Sequence, residues 1–245
     1  MMQAKDRIFV ALDFDDEGEA VTLARGLAGS VGGFKIGMRL FYSAGCRVVE
    51  KIAGFGCPVF LDLKLHDIPQ TVGQAVRAVV RLGASIINVH AAGGGDMLRA
   101  AAAAAVEESL LRGIPRPKVI AVTVLTSLGD QHLEELGIPG SAADVVVRWT
   151  RLVHRAGLDG VVASAREART IRETFGPGFL IVTPGIRLLN GGAADDQVRV
   201  ATPGAAVAQG ADYIVVGRPI TKAGDPLAAV RSVVEDIESA VGRTS

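Results

Sequence analysis

Eight short apolar runs alternate with amphipathic stretches along the 245 residues of the chain, and this alternation constrains the fold more than any other feature. Strands that alternate with helices are typical of a parallel sheet, because consecutive parallel strands need a crossover connection. Eight such units in a chain of about 250 residues favour a closed (β/α)8 TIM barrel over a doubly wound sheet. The predicted strands are 7–13, 33–37, 59–64, 85–90, 118–123, 160–163, 179–183 and 212–216.

Helical periodicity is clearest in six segments between these strands. No linker or change of composition divides the chain, so we predict a single α/β barrel domain over residues 1–245. Aromatic residues make up only 4% of the chain, and a core of aliphatic residues suits parallel strands that are covered on both faces. The predicted helices are 17–27, 68–82, 96–111, 142–156, 165–175 and 226–241.

Composition and charge exclude several classes of function. The chain has 26 basic and 26 acidic residues and no basic block, so nucleic acid is not an expected partner. No stretch reaches the roughly 18 apolar residues of a membrane span, and the first residues lack the apolar segment of a signal peptide. Cys46 and Cys57 form neither a metal motif nor a disulfide framework. We expect a cytoplasmic protein.

Two charged residues of the third predicted strand point into the barrel. Successive side chains of a strand point to opposite faces, so if Leu61 and Leu63 face the helices, Asp62 and Lys64 face inward. Ionised groups in a core are costly unless they are paired. Residues i and i+2 of a strand lie about 7 Å apart, so both can contact one small ligand. From this strand alone, a structural ion pair is the alternative.

The same alternation places further polar residues on neighbouring strands. Asp13 faces inward at the end of the first strand, and Lys35 faces inward in the second, where flanking glycines leave space around it. Charges of alternating sign therefore end three consecutive strands, at the face where barrel enzymes have their active sites. Asn88 and His90 share a face of the fourth strand and are candidates to support the site from beneath. We assign His66 to the adjoining loop.

Glycine–arginine turns follow the last two strands, where barrels often bind phosphate. Residues 184–187 read Pro-Gly-Ile-Arg, and Gly217 precedes Arg218. Glycine lets backbone N–H groups approach an anion, and arginine donates two parallel hydrogen bonds to it. The polar stretch 188–203 has no periodicity, and we predict that the loop 185–202 is a mobile lid from which Gln197 adds an amide donor. A surface loop without a role is the alternative.

The run Asp62-Leu63-Lys64-Leu65-His66-Asp67-Ile68-Pro69 resembles the DxKxxDIP signature of the orotidine 5′-phosphate decarboxylase family, type 1. The resemblance covers nearly the whole chain without a departure at a motif position, although residues 188–194 cannot be matched one by one. It implies a cofactor-free carboxy-lyase of pyrimidine (UMP) biosynthesis. The other matching segments are Ala11-Leu12-Asp13, Phe34-Lys35-Ile36-Gly37, Asn88-Val89-His90-Ala91, Val124-Leu125-Thr126-Ser127, Pro184-Gly185-Ile186-Arg187 and Val216-Gly217-Arg218-Pro219-Ile220.

The resemblance implies a role for each charged residue. Lys64 donates a proton to C6 of the pyrimidine, and Asp62 adjoins the departing carboxylate. Lys35 and Asp13 hold the ribose hydroxyls and the charged array. The remaining substrate contacts that it implies are Thr126 at the pyrimidine edge, Arg187, Gln197, Gly217 and Arg218 at the phosphate, and Pro184.

Three residues just beyond the signature lysine are implied to act in a neighbouring subunit. Asp67, Ile68 and Thr71 reach the partner's site, which implies a homodimer with shared active sites. Carboxylates on both sides of Lys64, from Asp62 and Asp67, favour its charged form, so we expect Lys64 to act as an acid and not as a base. No metal ion is expected.

Rival functions use the same fold. Metal-dependent sugar-phosphate enzymes of the same superfamily, such as 3-keto-gulonate 6-phosphate decarboxylase, carry a DxKxxD run but place an acidic metal ligand on strand 2, where this chain has Lys35. Ribulose-phosphate epimerases need metal-binding histidines at strand ends, which the sequence lacks. A non-catalytic barrel that binds a nucleotide monophosphate would leave the charges at Asp62, Lys64 and Asp67 unexplained.

Overall fold

The computed structural model of the protein describes residues 2–188 and 201–242, in which eight parallel strands close into a barrel in chain order. The strands are β1 Ile8–Ala11, β2 Gly33–Gly37, β3 Val59–Leu65, β4 Ile86–His90, β5 Lys118–Val122, β6 Gly160–Val162, β7 Leu180–Thr183 and β8 Tyr213–Val216. The first strand pairs with the last, which closes the barrel. The predicted (β/α)8 barrel is confirmed.

Helices cover the outside of the barrel, and several begin at a side chain that caps the first turn. Asp16, Ser141 and Asp225 each accept a hydrogen bond from a backbone N–H of the helix that follows. No helix of the described residues is long and apolar enough to cross a membrane. The helices are α1 Glu17–Leu27, α2 Met38–Ala44, α3 Arg47–Ala53, α4 Pro69–Val80, α5 Gly94–Arg112, α6 Asp130–Glu135, α7 Ala142–Arg155, α8 Ala165–Phe175, α9 Pro203–Ala208, α10 Arg218–Thr221 and α11 Pro226–Val241.

The six predicted helices are confirmed, and residues 2–188 and 201–242 contain five shorter ones that the sequence pattern did not predict. Segments of four to seven residues, such as α2 and α10, contain too few positions to reveal a period of 3.6. The predicted non-periodic stretch 188–203 is wrong at its end, because Pro203 opens α9 after Thr202 caps it. Ile186 and Ala201 form an isolated parallel bridge, which holds the two ends of the intervening segment together.

Apolar side chains fill the barrel and form a floor beneath its mouth. Phe9 packs edge-on against Phe60 and Tyr213, at centroid distances of 6.3 and 5.2 Å. Burying such a side chain stabilises the fold by about 1.5–3 kcal/mol. Inward positions recur every second residue of a strand. Asp62 is therefore the next inward residue after Phe60, and Asp13 is the second inward residue after Phe9. The hydrophobic interior therefore ends where the charges begin.

The third strand departs from regular pairing at its end. Leu61 pairs with Ile87, but the next pair is Leu65 with Val89, so the register shifts between them. Leu65 was expected beyond the strand's end, and it lies within β3 instead. The outward direction predicted for Leu63 is confirmed, since it packs against the core between the strands and the helices.

Candidate active site

A chain of ion pairs crosses the mouth of the barrel. Lys35 Nζ lies 3.1 Å from Asp13 Oδ1 and 3.4 Å from Asp62 Oδ2. Lys64 Nζ lies 2.7 Å from Asp62 Oδ1. Lys35 and Asp62 are only 8% and 9% exposed, so their burial requires this mutual pairing. The inward directions predicted for these charges are confirmed, and we call Asp13, Lys35, Asp62 and Lys64 the charged array.

Asp62 occupies the centre of the array and is held as a carboxylate. Burial raises the pKa of Asp62, but the ammonium groups of Lys35 and Lys64 lower it more, together with hydrogen bonds from Lys64 and Asn88. The net effect lowers the pKa below its ordinary value. The site therefore has a fixed negative charge between two positive ones at neutral pH.

Gly37 makes room for the ammonium group of Lys35. A Cβ atom at this position would lie 2.8 Å from Lys35 Nζ and 3.2 Å from Asp13 Oδ1. Any larger residue would push the two charged groups apart. The space that the sequence predicted around Lys35 is therefore provided by this glycine at the end of β2.

Arg39, which the sequence pattern did not indicate, holds the loop that contains Asp13 through hydrogen bonds. Its guanidinium donates to both carboxylate oxygens of Asp15, with Nε 2.5 Å from Oδ1, and to the backbone oxygen of Asp13 at 3.1 Å. Arg39 lies in the first turn of α2, directly after β2. The signal in the sequence was a basic residue shortly after Gly37, opposite the acidic loop that follows β1.

A cleft runs from Asp13, at one end of the charged array, to the turn after β8. Its volume is about 1070 Å³, and its lining includes Ala11, Asp13, Arg39, Gly217, Arg218 and Lys222. A Cβ atom at Gly217 would meet only the Ala11 side chain, at 3.7 Å. The cavity is lined by charges of both signs, because Asp13, Asp15, Asp16 and Glu19 face it as well. At the turn after β8, the backbone of Gly217 and the basic side chains of Arg218 and Lys222 offer the chemistry that binds a phosphate.

Comparison with known proteins agrees with this geometry. The model of the family described as orotidine 5′-phosphate decarboxylase / HUMPS family matches residues 6–233. The chain belongs to this family. A protein of Heliobacterium modesticaldum named orotidine 5′-phosphate decarboxylase is 49% identical over 243 residues, which cover 99% of this chain and 100% of that protein. One of the same name from Moorella thermoacetica is 52% identical over 238 residues, covering 97% and 94%.

A solved structure described as orotidine 5′-phosphate decarboxylase from Lactobacillus acidophilus superposes with a TM-score of 0.79. Its sequence is 38% identical, and the match covers 94% of this chain and 98% of that one. The fold of that decarboxylase is therefore shared over nearly the whole length of the chain.

The residues that resemblance to the decarboxylases assigns to a neighbouring subunit lie away from the array. Asp67, Ile68 and Thr71 are exposed at the start of α4, and Ile68 is 63% exposed. Asp67 Oδ1 accepts a hydrogen bond from the backbone N–H of Ile68 at 2.6 Å. Within the described chain, none of the three has a hydrogen bond or ion pair with the charged array, and their action in a partner stays a prediction.

The substrate contacts expected from the decarboxylase family are distributed around the mouth. Thr126 is half-buried after β5, Pro184 and Arg187 are half-buried after β7, and Arg218 is exposed at the start of α10. Gln197 and most of the predicted lid 185–202, including 189–194, lie outside the described residues. The binding roles of these residues stay predictions.

His66, within the signature, stacks on His90 at the end of β4. The rings of His66 and His90 lie 5.2 Å apart, and His90 also contacts Trp149 edge-on at 6.1 Å. Burial lowers the pKa of His90, and the charges of His66 and Lys64 lower it further. Among the described residues, no group of three or more His, Cys, Asp or Glu side chains is placed to hold a metal ion.

Proposed function

We propose that this chain is a carboxy-lyase that converts orotidine 5′-phosphate to uridine 5′-phosphate, the last step of UMP biosynthesis, in the cleft at the barrel mouth. The observation that carries the proposal is the Lys35–Asp62–Lys64 sequence of charges at the barrel mouth. Asp13, which pairs with Lys35, also lines the cleft that reaches Gly217 and Arg218. Membership of the family over residues 6–233 supports the proposal independently.

Lys64 is the acid of the reaction. When the bond from C6 to the carboxylate breaks, CO2 leaves and its electron pair stays on C6 of the pyrimidine. A preorganised positive charge stabilises that developing charge in a site with little water. The Lys64 ammonium then transfers a proton to C6, giving the product, and the neutral amine regains a proton from solvent.

Asp62 makes the array more favourable to the transition state than to the substrate. Its carboxylate lies beside the substrate carboxylate in the proposed complex, and the two negative charges repel each other. That repulsion is relieved when the carboxylate departs as neutral CO2. An interaction that improves along the reaction raises kcat, whereas uniform binding changes only KM. Pairing with Lys35 and Lys64 keeps Asp62 ionised for this role.

The opposite side of the cleft binds the rest of the nucleotide. Asp13 and Lys35 hold the ribose hydroxyls, and Thr126 and Pro184 border the pyrimidine. Binding energy from the phosphate, far from C6, orients the reacting group. The proposed phosphate ligands are Arg187, Gln197, Gly217 and Arg218.

The enzyme works as a cytoplasmic homodimer in which Asp67, Ile68 and Thr71 complete the partner's site. The exposure of Ile68 at the barrel mouth supports this assembly, because an apolar side chain there gains by burial. Mixing Lys64→Ala with Asp67→Ala chains after denaturation tests it. Mixed dimers have one site with both defects and one with neither, so activity returns if Asp67 acts across the interface. If Asp67 acts within its own chain, every mixture stays inactive.

The assay for the function is incubation with orotidine 5′-phosphate, following the loss of its ultraviolet absorbance and the release of CO2. Turnover by the unaltered chain is expected, and its absence would contradict the proposal. The rival metal-dependent sugar-phosphate activity is disfavoured by the place of Lys35, whose ammonium lies 3.1 Å and 3.4 Å from the two carboxylates that a cation would need.

A further inference from the structure

The irregular end of β3 contains Lys64, the proposed acid of the reaction. Between the pairs Leu61–Ile87 and Leu65–Val89, three residues of β3 lie opposite a single residue of β4, which is Asn88. Lys64 is the only residue other than glycine with a positive φ, 51°, in the described ranges 2–188 and 201–242. Such a backbone costs of order 1–3 kcal/mol and persists only where its surroundings enforce it.

The Asn88 side chain fills the place where the ladder of backbone hydrogen bonds is interrupted. It is completely buried, and its Oδ1 accepts a hydrogen bond from the backbone N–H of Lys64 at 2.8 Å. Its Nδ2 donates to Asp62 Oδ1 at 2.6 Å. The same Oδ1 of Asp62 accepts from Lys64 Nζ at 2.7 Å. One amide therefore holds both the backbone of the acid and the carboxylate that pairs with it.

At neutral pH, the amide of Asn88 has a pair of groups that an aspartate or a leucine of similar size lacks. The backbone N–H of Lys64 needs an acceptor, and the Asp62 carboxylate needs a donor. A neutral amide offers both, whereas an ionised carboxylate offers acceptors only, and an aliphatic side chain offers neither. The N–H of Lys64 also fixes which way the Asn88 amide must face.

We infer that Asn88 is a positioning residue of the decarboxylation proposed above, which holds Lys64 in its left-handed conformation and turns Asp62 towards it. Asn88 acts through these two residues and contacts the nucleotide at no point. Its loss therefore lowers kcat, because the ammonium is displaced from C6. KM and the affinity for uridine 5′-monophosphate change little, since the phosphate is bound on the other side of the mouth.

Asn88→Ala tests the inference against a matched control on the same strand. Ile87→Ala removes a side chain of similar size from the outward face of β4, where Ile87 is 1% exposed in the outer core. We expect Asn88→Ala to lower kcat roughly 100-fold, as a displacement of about 1 Å at a reacting group does. Ile87→Ala should keep kcat per folded molecule although it unfolds more easily. An equal loss of kcat in both variants would overturn the inference.

Asn88→Asp provides a second test that a purely structural role would not affect. At neutral pH it places a second carboxylate beside Asp62, so the two repel and one of them takes up a proton more readily. Once protonated, the new side chain again donates to Asp62 and accepts from the Lys64 N–H. The activity of Asn88→Asp relative to the unaltered enzyme should therefore rise as the pH falls. A pH profile parallel to that of the unaltered enzyme would overturn the inference.

The two proposals fail in different ways. If the unaltered chain does not consume orotidine 5′-phosphate, the proposed function fails. If the unaltered chain is active, Lys64→Ala is inactive and Asn88→Ala keeps its kcat, then only the role of Asn88 is wrong. Binding of uridine 5′-monophosphate, measured by calorimetry, confirms in each case that the variant retains a formed site.

Discussion

Partly buried ion pairs occur at both ends of the barrel, but the two ends differ in their principal cations. Where the strands begin, arginine side chains are the principal partners of Asp159 and Asp212. Where the strands finish, lysine side chains are the partners of Asp13 and Asp62. Arginine cannot lose its proton in a protein, whereas lysine is a compact point charge that can. Both cations of the charged array are therefore groups that can donate a proton, whereas the principal cations of the lower end, where the strands begin, are not.

The pairs at the lower end are saturated by protein groups. Asp159 accepts two hydrogen bonds from the guanidinium of Arg116, at 2.8 and 2.6 Å, and one from the backbone N–H of Val119 at 2.8 Å. Asp212, before β8, repeats the arrangement with Arg172 and a backbone N–H of β7. Each carboxylate joins its own strand to the preceding one, so these clusters stabilise the barrel.

The array at the upper end leaves hydrogen-bonding capacity for a ligand. An ammonium group has three donors, and within the described part of the chain Lys64 Nζ uses one, on Asp62. Its backbone is strained as well, with φ at 51°. If Asp62 and Lys64 formed an ion pair that only stabilised the fold, we would expect an unstrained backbone and fully used hydrogen-bond donors. The strain and the unused donors of Lys64 therefore argue against this alternative.

The largest effect is expected from Lys64→Ala. Removal of the acid should lower turnover of orotidine 5′-phosphate at least about 1000-fold, as loss of a preorganised group in the transition state does. Binding of uridine 5′-monophosphate should remain measurable by calorimetry. Lys118→Ala is the matched control at the lower end, where Lys118 pairs with Asp159 at 3.3 Å, and it should keep full activity. Retained activity in Lys64→Ala would remove the distinction between the two ends.

Arg218→Ala should have the next largest effect, because Arg218 is an arginine at the catalytic end. If it binds phosphate, kcat/KM falls roughly 10–100-fold, equivalent to about 1.5–3 kcal/mol for a charged hydrogen bond. The affinity for uridine 5′-monophosphate should fall while that for uridine is kept. If the variant instead lost stability and kept its affinity for the nucleotide, Arg218 would resemble the structural arginines of the lower end.

Asp159→Asn should have the opposite effect from the variants at the catalytic end, because it should reduce stability and keep activity. Loss of the charge weakens the hydrogen bonds from Arg116 and Val119, at a cost of about 1–3 kcal/mol in the free energy of unfolding. Burial raises the pKa of Asp159, but Arg116 and the Val119 N–H lower it more, so the folded value lies below 3.8. Its stabilisation is therefore present above pH 3.8 and is lost as the pH falls through the folded value.

Urea unfolding at neutral pH and in acid checks both parts of this prediction. The difference between Asp159→Asn and the unaltered chain should be full at neutral pH and should shrink below pH 3.8. Asp62→Asn is the contrasting variant, since it should lose turnover per folded molecule, which Asp159→Asn should keep. A variant of Asp159 that lost turnover while it remained folded would refute the structural assignment of the lower end.

The strands and most of the array could be predicted from the sequence because both follow one period. Asp13, Lys35 and Asp62 lie opposite apolar residues that need the helix layer, so their inward direction follows from alternation alone. Barrel closure follows from the number of units, and the glycine beside Lys35 indicated the space that it needs. These features depend on residues close in the chain.

The rest of the site depends on contacts that no local pattern reveals. Lys64 has a left-handed backbone although it is not a glycine, so the sequence does not indicate this conformation. Its backbone N–H is held by Asn88 on the next strand. Arg39 binds a loop 24 residues earlier from a helix too short to show a period. The expected role of Asp67 depends on a second chain, and Gln197 lies outside the described residues.

Treatment with EDTA distinguishes the decarboxylase from its metal-dependent rivals, and it is the experiment for which we expect no effect. EDTA should leave the turnover of orotidine 5′-phosphate unchanged, because Lys35 Nζ already lies between Asp13 and Asp62 and balances their charge. A divalent cation there would have to displace an ammonium that is only 8% exposed. Activity that EDTA abolished and Mg²⁺ restored would mean that the array holds a metal, and the assignment of Lys35 would be wrong. Lys35→Ala is the accompanying variant: if the ammonium is the required cation, its activity falls and Mg²⁺ does not restore it.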